Sequence, residues 1–153
     1  ELSVEVQRIS NDLMPSLLDP LGLDETLLWF KERMEDLYQL EVDYQQLGLG
    51  GCSLPKQLEV VIFRVVQEGL NNIVKHARAS RVRLRIIYSY PKIVIAIQDD
   101  GVGFSCAAPR MGLGLRFMRQ RVAEVGGTLR ISSQPGQGAT LRLEIPFYPD
   151  VQT

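Results

Sequence analysis

The chain has 153 residues, 45% of them hydrophobic and 23% charged, with a formal net charge of −1. That length suffices for one compact domain with its own core, and the near-neutral charge argues against a nucleic-acid binder, which carries a basic excess or patch. No apolar run approaches the ~20 residues of a membrane span, no secretory leader opens at Glu1, and Cys52 and Cys106 with a single histidine cannot complete a four-ligand zinc site. The two thiols, far apart and outside any C-x-x-C unit, are expected to be unpaired in a reducing cytoplasm.

Along the chain, Leu2, Val6, Ile9 and Leu13 recur at helical spacing over residues 1–14. Pro15, Asp19-Pro20 and Gly22 are expected to interrupt that helix. A second helix should follow, with Asp24 as N-cap and Leu27, Leu28, Met34, Leu37 and Leu40 on its apolar side. Glu41–Tyr44 suggests a short strand, and Gly48, Gly50 and Gly51 a loop. The strongest helix runs from about Leu54 to Ala77, with Ser53 as N-cap and Pro55 in the first turn. Its buried face carries Leu58, Ile62, Val65, Val66, Gly69, Ile73 and Ala77. At ~100° per residue, Glu68, Asn72 and Lys75 fall together on the opposite face.

The period then changes from a helix's to a strand's. Val82, Leu84, Ile86 and Tyr88 alternate with Arg81, Arg83 and Arg85, which predicts a strand with one buried and one wet face. Ser89-Tyr90-Pro91-Lys92 is a hairpin turn. Ile93–Gln98 is apolar on both faces, as a central strand is. A glycine-rich stretch from Asp99 to Gly114 precedes a helix over Leu115–Val125, stopped by Gly126-Gly127. Thr128–Ser132 and Ala139–Pro146 complete the set as strands joined at Gln134-Pro135-Gly136. Helices mixed with antiparallel hairpins predict an α+β two-layer sandwich, a mostly antiparallel mixed sheet with helices on one face.

Four segments carry residue types suited to chemistry. Glu68 and Asn72 are four apart and meet on one helix face, with Lys75 a turn further on. A carboxylate, an amide oxygen and an ammonium so placed can position water, hold Mg²⁺ and contact phosphate; a solvated polar face is the plainer alternative. Asp99-Asp100-Gly101-Val102-Gly103-Phe104 puts a carboxylate at a strand end beside backbone that a ligand can approach. Asp99 can accept from an amino group such as adenine's, or the segment is a simple Asp-Gly turn. Gly112-Leu113-Gly114-Leu115 opens a helix and offers free N–H groups to phosphate. It is neither a P-loop nor a dinucleotide fingerprint. Gly136-Gln137-Gly138-Ala139-Thr140, alone, is a hairpin.

In this order and spacing, Glu68-Gly69-Leu70-Asn71-Asn72-Ile73-Val74-Lys75-His76-Ala77, the aspartate-glycine box, the Gly-Leu-Gly-Leu box and the Gly-x-Gly-x-Thr strand resemble the Bergerat-type ATPase domain of histidine kinases, gyrase-type ATPases, Hsp90 and MutL. The Lys75-His76 ending, the Leu13–Leu23 segment and the Gly114–Val122 stretch are most similar to sensor histidine kinases of the nitrate-sensor/DesK-like group. That resemblance implies that residues 1–22 are the end of a second dimerisation helix and a linker, 23–149 the catalytic domain and 150–153 a tail.

The resemblance also implies roles. Asn72 holds Mg²⁺, and Glu68 orients or deprotonates the attacking group. Lys75 contacts phosphate and His76 lies beside the nucleotide. Asp99 reads adenine, while Gly101 and Gly103 let ATP approach. Ser105–Met111 forms a short lid, Gly112, Leu113, Gly114 and Leu115 cradle the phosphates, and Thr140 supports the adenine site. The γ-phosphate would pass to a histidine on the kinase's own dimerisation domain and then to a response regulator receiver domain. That acceptor lies outside this chain, because the single histidine, His76, sits in the asparagine box. A cytosolic domain of a homodimeric parent is implied, touching neither membrane nor nucleic acid. The other classes to weigh are a degenerate nucleotide-binding interaction module and an anti-sigma-factor-type serine kinase, the latter opposed by residues 1–23. Gyrase- and MutL-type ATPases carry longer insertions. Ala77–Arg81 suits a helix C-terminus better than a nucleic-acid patch, and Trp29, Met111, Phe117 and Met118 are expected in core or lid packing.

Overall fold

In the computed structural model, which describes residues 2–103 and 113–149, a five-stranded sheet carries helices on one face. The elements in chain order are α1 (Leu2–Tyr38), β1 (Glu41–Leu47), α2 (Lys56–Asn72) running into a π-helical turn (Ile73–Ala77), β2 (Arg81–Ser89), β3 (Lys92–Asp99), α3 (Leu113–Glu124), β4 (Thr128–Ser133) and β5 (Ala139–Pro146). The strand order is β1-β2-β3-β5-β4. β1 runs parallel to β2 and every other pairing is antiparallel. This is the expected α+β sandwich.

The pleat decides what is buried. Val82, Leu84 and Ile86 of β2 align with Asp99, Ile97 and Ile95 of β3, and Leu143 and Ile145 of β5 continue the same face. All the apolar members of that set are buried beneath the helices. Arg83, Arg85, Gln98, Arg130 and Arg142 occupy the other face, as alternation requires. β3 sits at the centre; its covered face is buried, while Val94 and Ala96 on the open face are half-buried between the flanking strands. Against it lies the broad apolar side of α2, with Leu58, Val61, Ile62, Phe63, Val65, Val66 and Leu70 buried. Phe63 meets Phe30 of α1 edge-on at 5.6 Å between ring centroids.

Several boundaries differ from the sequence expectation. α1 continues through Pro15 and Pro20, each of which removes one N–H donor from the helix, but Gly22 (φ 79°, ψ 173°) kinks it into two helices, an interruption the sequence predicts. Asp24 is not the expected cap: its carboxylate accepts the Tyr44 hydroxyl at 2.7 Å, and Thr26 donates to the Gly22 carbonyl. Leu37 is 47% exposed, and Leu23 and Phe30 fill the core beside Leu27 and Met34 instead. β1 extends three residues past Tyr44, to Leu47. α2 takes Pro55 rather than Ser53 as N-cap, its carbonyl accepting from the amides of Leu58 and Glu59. α3 begins at Leu113, two residues early, and ends at Glu124. Its end is a Schellman motif, with Gly126 N–H donating to Ala123 O and Gly127 N–H to Val122 O.

Trp29 is half-buried with the Arg33 guanidinium 4.9 Å over its ring. Met118 is buried as expected, whereas Phe117 is 56% exposed. Cys52 is a free thiol; Cys106 and Met111 lie outside the described residues. No helix among the described residues is long and apolar enough to cross a membrane.

Ile95 is wholly buried at the centre of the sheet, so Ile95→Ala should lower the unfolding free energy by about 2–5 kcal/mol. Arg83→Ala on the open face should stay within about 0.5 kcal/mol. Urea unfolding of the two variants checks both, with an unchanged m-value marking a pure stability effect.

Candidate functional site

The site begins with the way α2 lies on β3. A Cβ on Gly69 would stand 2.8 Å from the Ile97 side chain, so glycine there lets the helix settle close to the sheet. That fixes the height of Glu68 and Asn72 over the end of β3. After Asn72 the helix widens into the π turn, capped by Arg78 in the left-handed region (φ 50°). A π turn holds an extra residue, so Lys75 falls short of the angle that a uniform α-helix gives it. Lys75 and His76 are exposed and Asn72 is half-buried.

The Asp99–Gly103 loop is clamped from both sides. The Val102 N–H donates to the Ala77 carbonyl at 2.7 Å, and Gly136 N–H donates to the Val102 carbonyl at 2.6 Å. Gly101 presses its Cα on Ala77, where a side chain would collide with the Ala77 carbonyl. Gly103 (φ 66°) faces the Gln134 carbonyl and Gly138 (φ 69°) the Asp99 carbonyl, each so closely that a Cβ has no room. At Gly101, Gly103 and Gly138 the space that a Cβ would take is filled by the protein's own backbone, so the three segments can stack closely.

Asp99 and Asp100 divide the work of the loop. Asp100 accepts from the amides of Ser80 and Arg81 at 2.9 and 3.0 Å and from the Ser80 hydroxyl at 2.9 Å. The Arg81 amide first, then Ser80, hold its carboxyl below the usual aspartate range. It is a brace between loop and sheet. Asp99 is 6% exposed, and its Oδ1 accepts from the Gly101 N–H at 2.8 Å. Burial pushes its carboxyl up, and the amides of Gly101 and Ala139 only partly offset that. Asp99 is thus a buried acid on the helix-covered face, at the strand end.

Glu68 reaches the start of α3. A Cβ on Gly114 would coincide with the Glu68 carboxylate, so Gly114 is the vacancy that lets the acid stand against the first turn of that helix. The N-terminal end of a helix favours a carboxylate. Leu115 follows, half-buried. Leu113 is placed by its backbone in the first turn of α3, and Gly112, Phe104 and the Ser105–Met111 lid lie outside the described residues.

Thr140 is not brought to Asp99. The register pairs Asp99 with Ala139 and Gln98 with Thr140. Successive strand residues face opposite ways, so Thr140 shares the open face with Arg142, away from the Asp99 carboxylate. The residue alongside Asp99 on the covered face is Ala139.

A cleft of about 290 Å³ opens between α2 and α3, its walls formed in part by Arg64, Gln67, Glu68, Phe117 and Arg121. Arg64 donates to the Gln67 amide oxygen at 2.9 Å. Burial, and then the Arg121 charge, draw the Arg64 pKa below its usual value. Gln67 is 4% exposed, and its Nε2 has no acceptor among the described residues. Arg64 and Gln67 belong to no sequence motif, but their spacing of three on a helix is a signal that they meet.

A helix carrying Glu68 and Asn72 over a buried strand-end aspartate, with a helix start opposite, is the layout of an ATPase domain. Residues 57–149 match the family described as histidine kinase-, DNA gyrase B-, and HSP90-like ATPase, and the chain belongs to that family. Within that family, the chain is similar to the catalytic portions of signal-transduction histidine kinases. It is 38% identical over 144 residues to the signal transduction histidine-protein kinase/phosphatase DegS of Brevibacillus brevis, covering 94% of this chain and 37% of DegS. It is 35% identical over 145 residues to the oxygen sensor histidine kinase NreB of Staphylococcus carnosus, covering 94% of this chain and 42% of NreB. Among solved structures, the histidine kinase domain of the Erythrobacter litoralis EL346 blue-light activated histidine kinase superposes with a TM-score of 0.68 at 27% identity, over 82% of this chain and 61% of that one. The chain therefore spans less than half the length of the two curated relatives.

The raised pKa of Asp99 has a measurable consequence. Between the usual aspartate value of 3.8 and its higher folded value, the native state binds more protons than the unfolded one. Stability from this group then falls as pH rises through that interval. Asp99→Asn keeps an acceptor for Gly101 and removes the buried charge. The variant should resist urea at least as well as wild type at pH 7, with the difference shrinking as pH approaches 3.8. A variant less stable at pH 7 than at acid pH, relative to wild type, contradicts the burial of a charged Asp99.

Proposed function

We propose that this domain binds Mg-ATP between α2, the Asp99–Gly103 loop and the start of α3, and transfers the γ-phosphate to a histidine on the dimerisation domain of its parent kinase. The phosphate then passes to an aspartate of a response regulator receiver domain. The observation that carries this reading is the buried Asp99 carboxylate, kept at a strand end under α2 where its burial opposes its charge. Such an acid is kept for an acceptor role. The adenine amino group would donate to Asp99, and Lys75 and the first turn of α3, with Gly112, Leu113, Gly114 and Leu115, would meet the phosphates. His76 lies beside the nucleotide in this reading. Thr140 faces the wrong side of the sheet to support adenine directly, and we assign that neighbourhood to the backbone at Ala139.

Magnesium takes oxygen donors and keeps several waters, so it needs only one or two protein ligands. The Asn72 amide oxygen fits this demand, being half-buried one turn from Glu68. An ion held by Asn72 would neutralise charge on the transferring phosphates. Glu68 would accept or orient the imidazole N–H of the incoming histidine. The N–P bond then forms as the bond from Pγ to the β-phosphate oxygen breaks, and ADP leaves. Positioning and charge neutralisation supply most of the acceleration in such transfers.

Residues 1–22 are assigned to the end of the second dimerisation helix and its linker, 23–149 to the catalytic domain and 150–153 to a tail. Gly22, the one non-helical residue within α1, supports that boundary. The parent is proposed to be a homodimer with this domain in the cytoplasm.

Calorimetric titration with Mg-ADP and Mg-ATP tests the binding reading. Wild type should bind both, and Asp99→Asn should weaken binding about 10- to 100-fold, the worth of a hydrogen bond to a charged group. Wild type with no affinity for either nucleotide overturns the proposal. Glu68→Gln should retain nucleotide affinity while phosphate transfer to an added histidine-bearing dimerisation fragment falls about 10²–10⁴-fold. Unchanged transfer by that variant removes Glu68 from the chemistry.

A further inference from the structure

Along α2, the groups of the proposed reaction stand in order. Asn72 lies nearest the π turn, Glu68 one turn back, and Arg64 one turn further. From Asn72 to Arg64 is about 12 Å at the helical rise. The cleft walled by Arg64, Gln67, Phe117 and Arg121 also includes Glu68 and Gly114, so it adjoins the phosphate end of the proposed nucleotide site and extends from there toward Arg64. Arg64 holds the Gln67 amide by its oxygen at 2.9 Å. That bond turns the amide nitrogen away from Arg64, and Nε2 is left buried without an acceptor. A buried donor without a partner is costly, so it marks a place where an acceptor docks. The surrounding charge says which kind. Arg64 and Arg121 bring two guanidinium groups to the cleft, with Glu68 as its one acid among those wall residues. Phe117, beside them, is 56% exposed.

We infer that this cleft is a docking subsite for an acidic side chain on the segment that presents the phosphoacceptor histidine, with Gln67 and the two arginines binding its carboxylate and Phe117 packing against its backbone side. The subsite rests on the kinase reading of Glu68, since it explains how an acceptor is brought to that residue from outside the nucleotide pocket. Gln67 and Arg121 are positioning residues: they touch the acceptor's flank and not the reacting atoms.

The test uses the histidine-bearing dimerisation fragment of the same kinase as the probe, with direct binding and transfer kinetics measured separately. Arg121→Glu changes an exposed residue, and Gln67→Met keeps the buried volume while removing the donor. Each should raise both the Kd and the KM for the fragment about tenfold or more, the worth of a charged or buried polar contact. The affinity for Mg-ATP should stay within about twofold of wild type, below the factor that one hydrogen bond carries. High salt should narrow the gap between Arg121→Glu and wild type. Unchanged fragment binding in both variants overturns the inference. So does a loss of Mg-ATP affinity with fragment binding intact, which would make the anion a phosphate of the nucleotide. If wild type binds the fragment but transfers nothing, while the variants lose that binding, the subsite stands and the kinase reading falls.

Discussion

The site depends on backbone packed directly on backbone. The Ala77 carbonyl at the end of the π turn receives the Val102 N–H, and Gly101 lies flat against Ala77. The Val102 carbonyl in turn receives the Gly136 N–H from the β4–β5 turn, with Gly103 and Gly138 closing the remaining space. Three segments distant in sequence thereby share one small volume. The clamp works because hydrogen bonds join them where Gly101, Gly103 and Gly138 carry no side chain; a Cβ at any of these three would collide with a neighbouring carbonyl. The position of Asp99 follows from it, because the carboxylate sits on the last residue of β3, immediately before the clamp.

Adjacent acids acquire opposite characters from this arrangement. Asp100 turns outward to the Ser80 and Arg81 amides and is stabilised as a charge. Asp99 turns inward, accepts from Gly101, and is destabilised as a charge by its burial. One residue of difference along a strand exchanges solvent for core, so the pair cannot be interchanged. The same logic runs along α2, where one face of a single helix carries Arg64, Glu68 and Asn72 in succession while the other is sunk in the sheet. A rigid helix fixes the spacing of these groups, and Gly69 and Gly114 fix its distance from the sheet and from α3.

Much of this was legible in the sequence, and the reasons are physical. Strand alternation in Arg81–Tyr88 and the apolar character of Ile93–Gln98 follow directly from which face is buried, and both strands fall where the pattern puts them. The α2 stripe is broad enough to survive errors at its ends. Local capping was harder to see: Ser53 and Asp24 are good cap residues by type, yet Pro55 caps α2 and Gly22 marks the break in α1, with the Asp24 carboxylate taken by the Tyr44 hydroxyl. The π turn has no composition signature, so the angular place of Lys75 was set by an assumption of uniform helix. Glycines were readable as places of close approach, but not what approaches; that depends on segments far away in the chain. Thr140 shows the limit most clearly. A hydroxyl one residue beyond the Gly136-Gln137-Gly138 turn looks equivalent to one directly after it, but the pleat gives the two positions opposite faces. Only the pairing of Ala139 with Asp99 reveals which of them the buried acid meets.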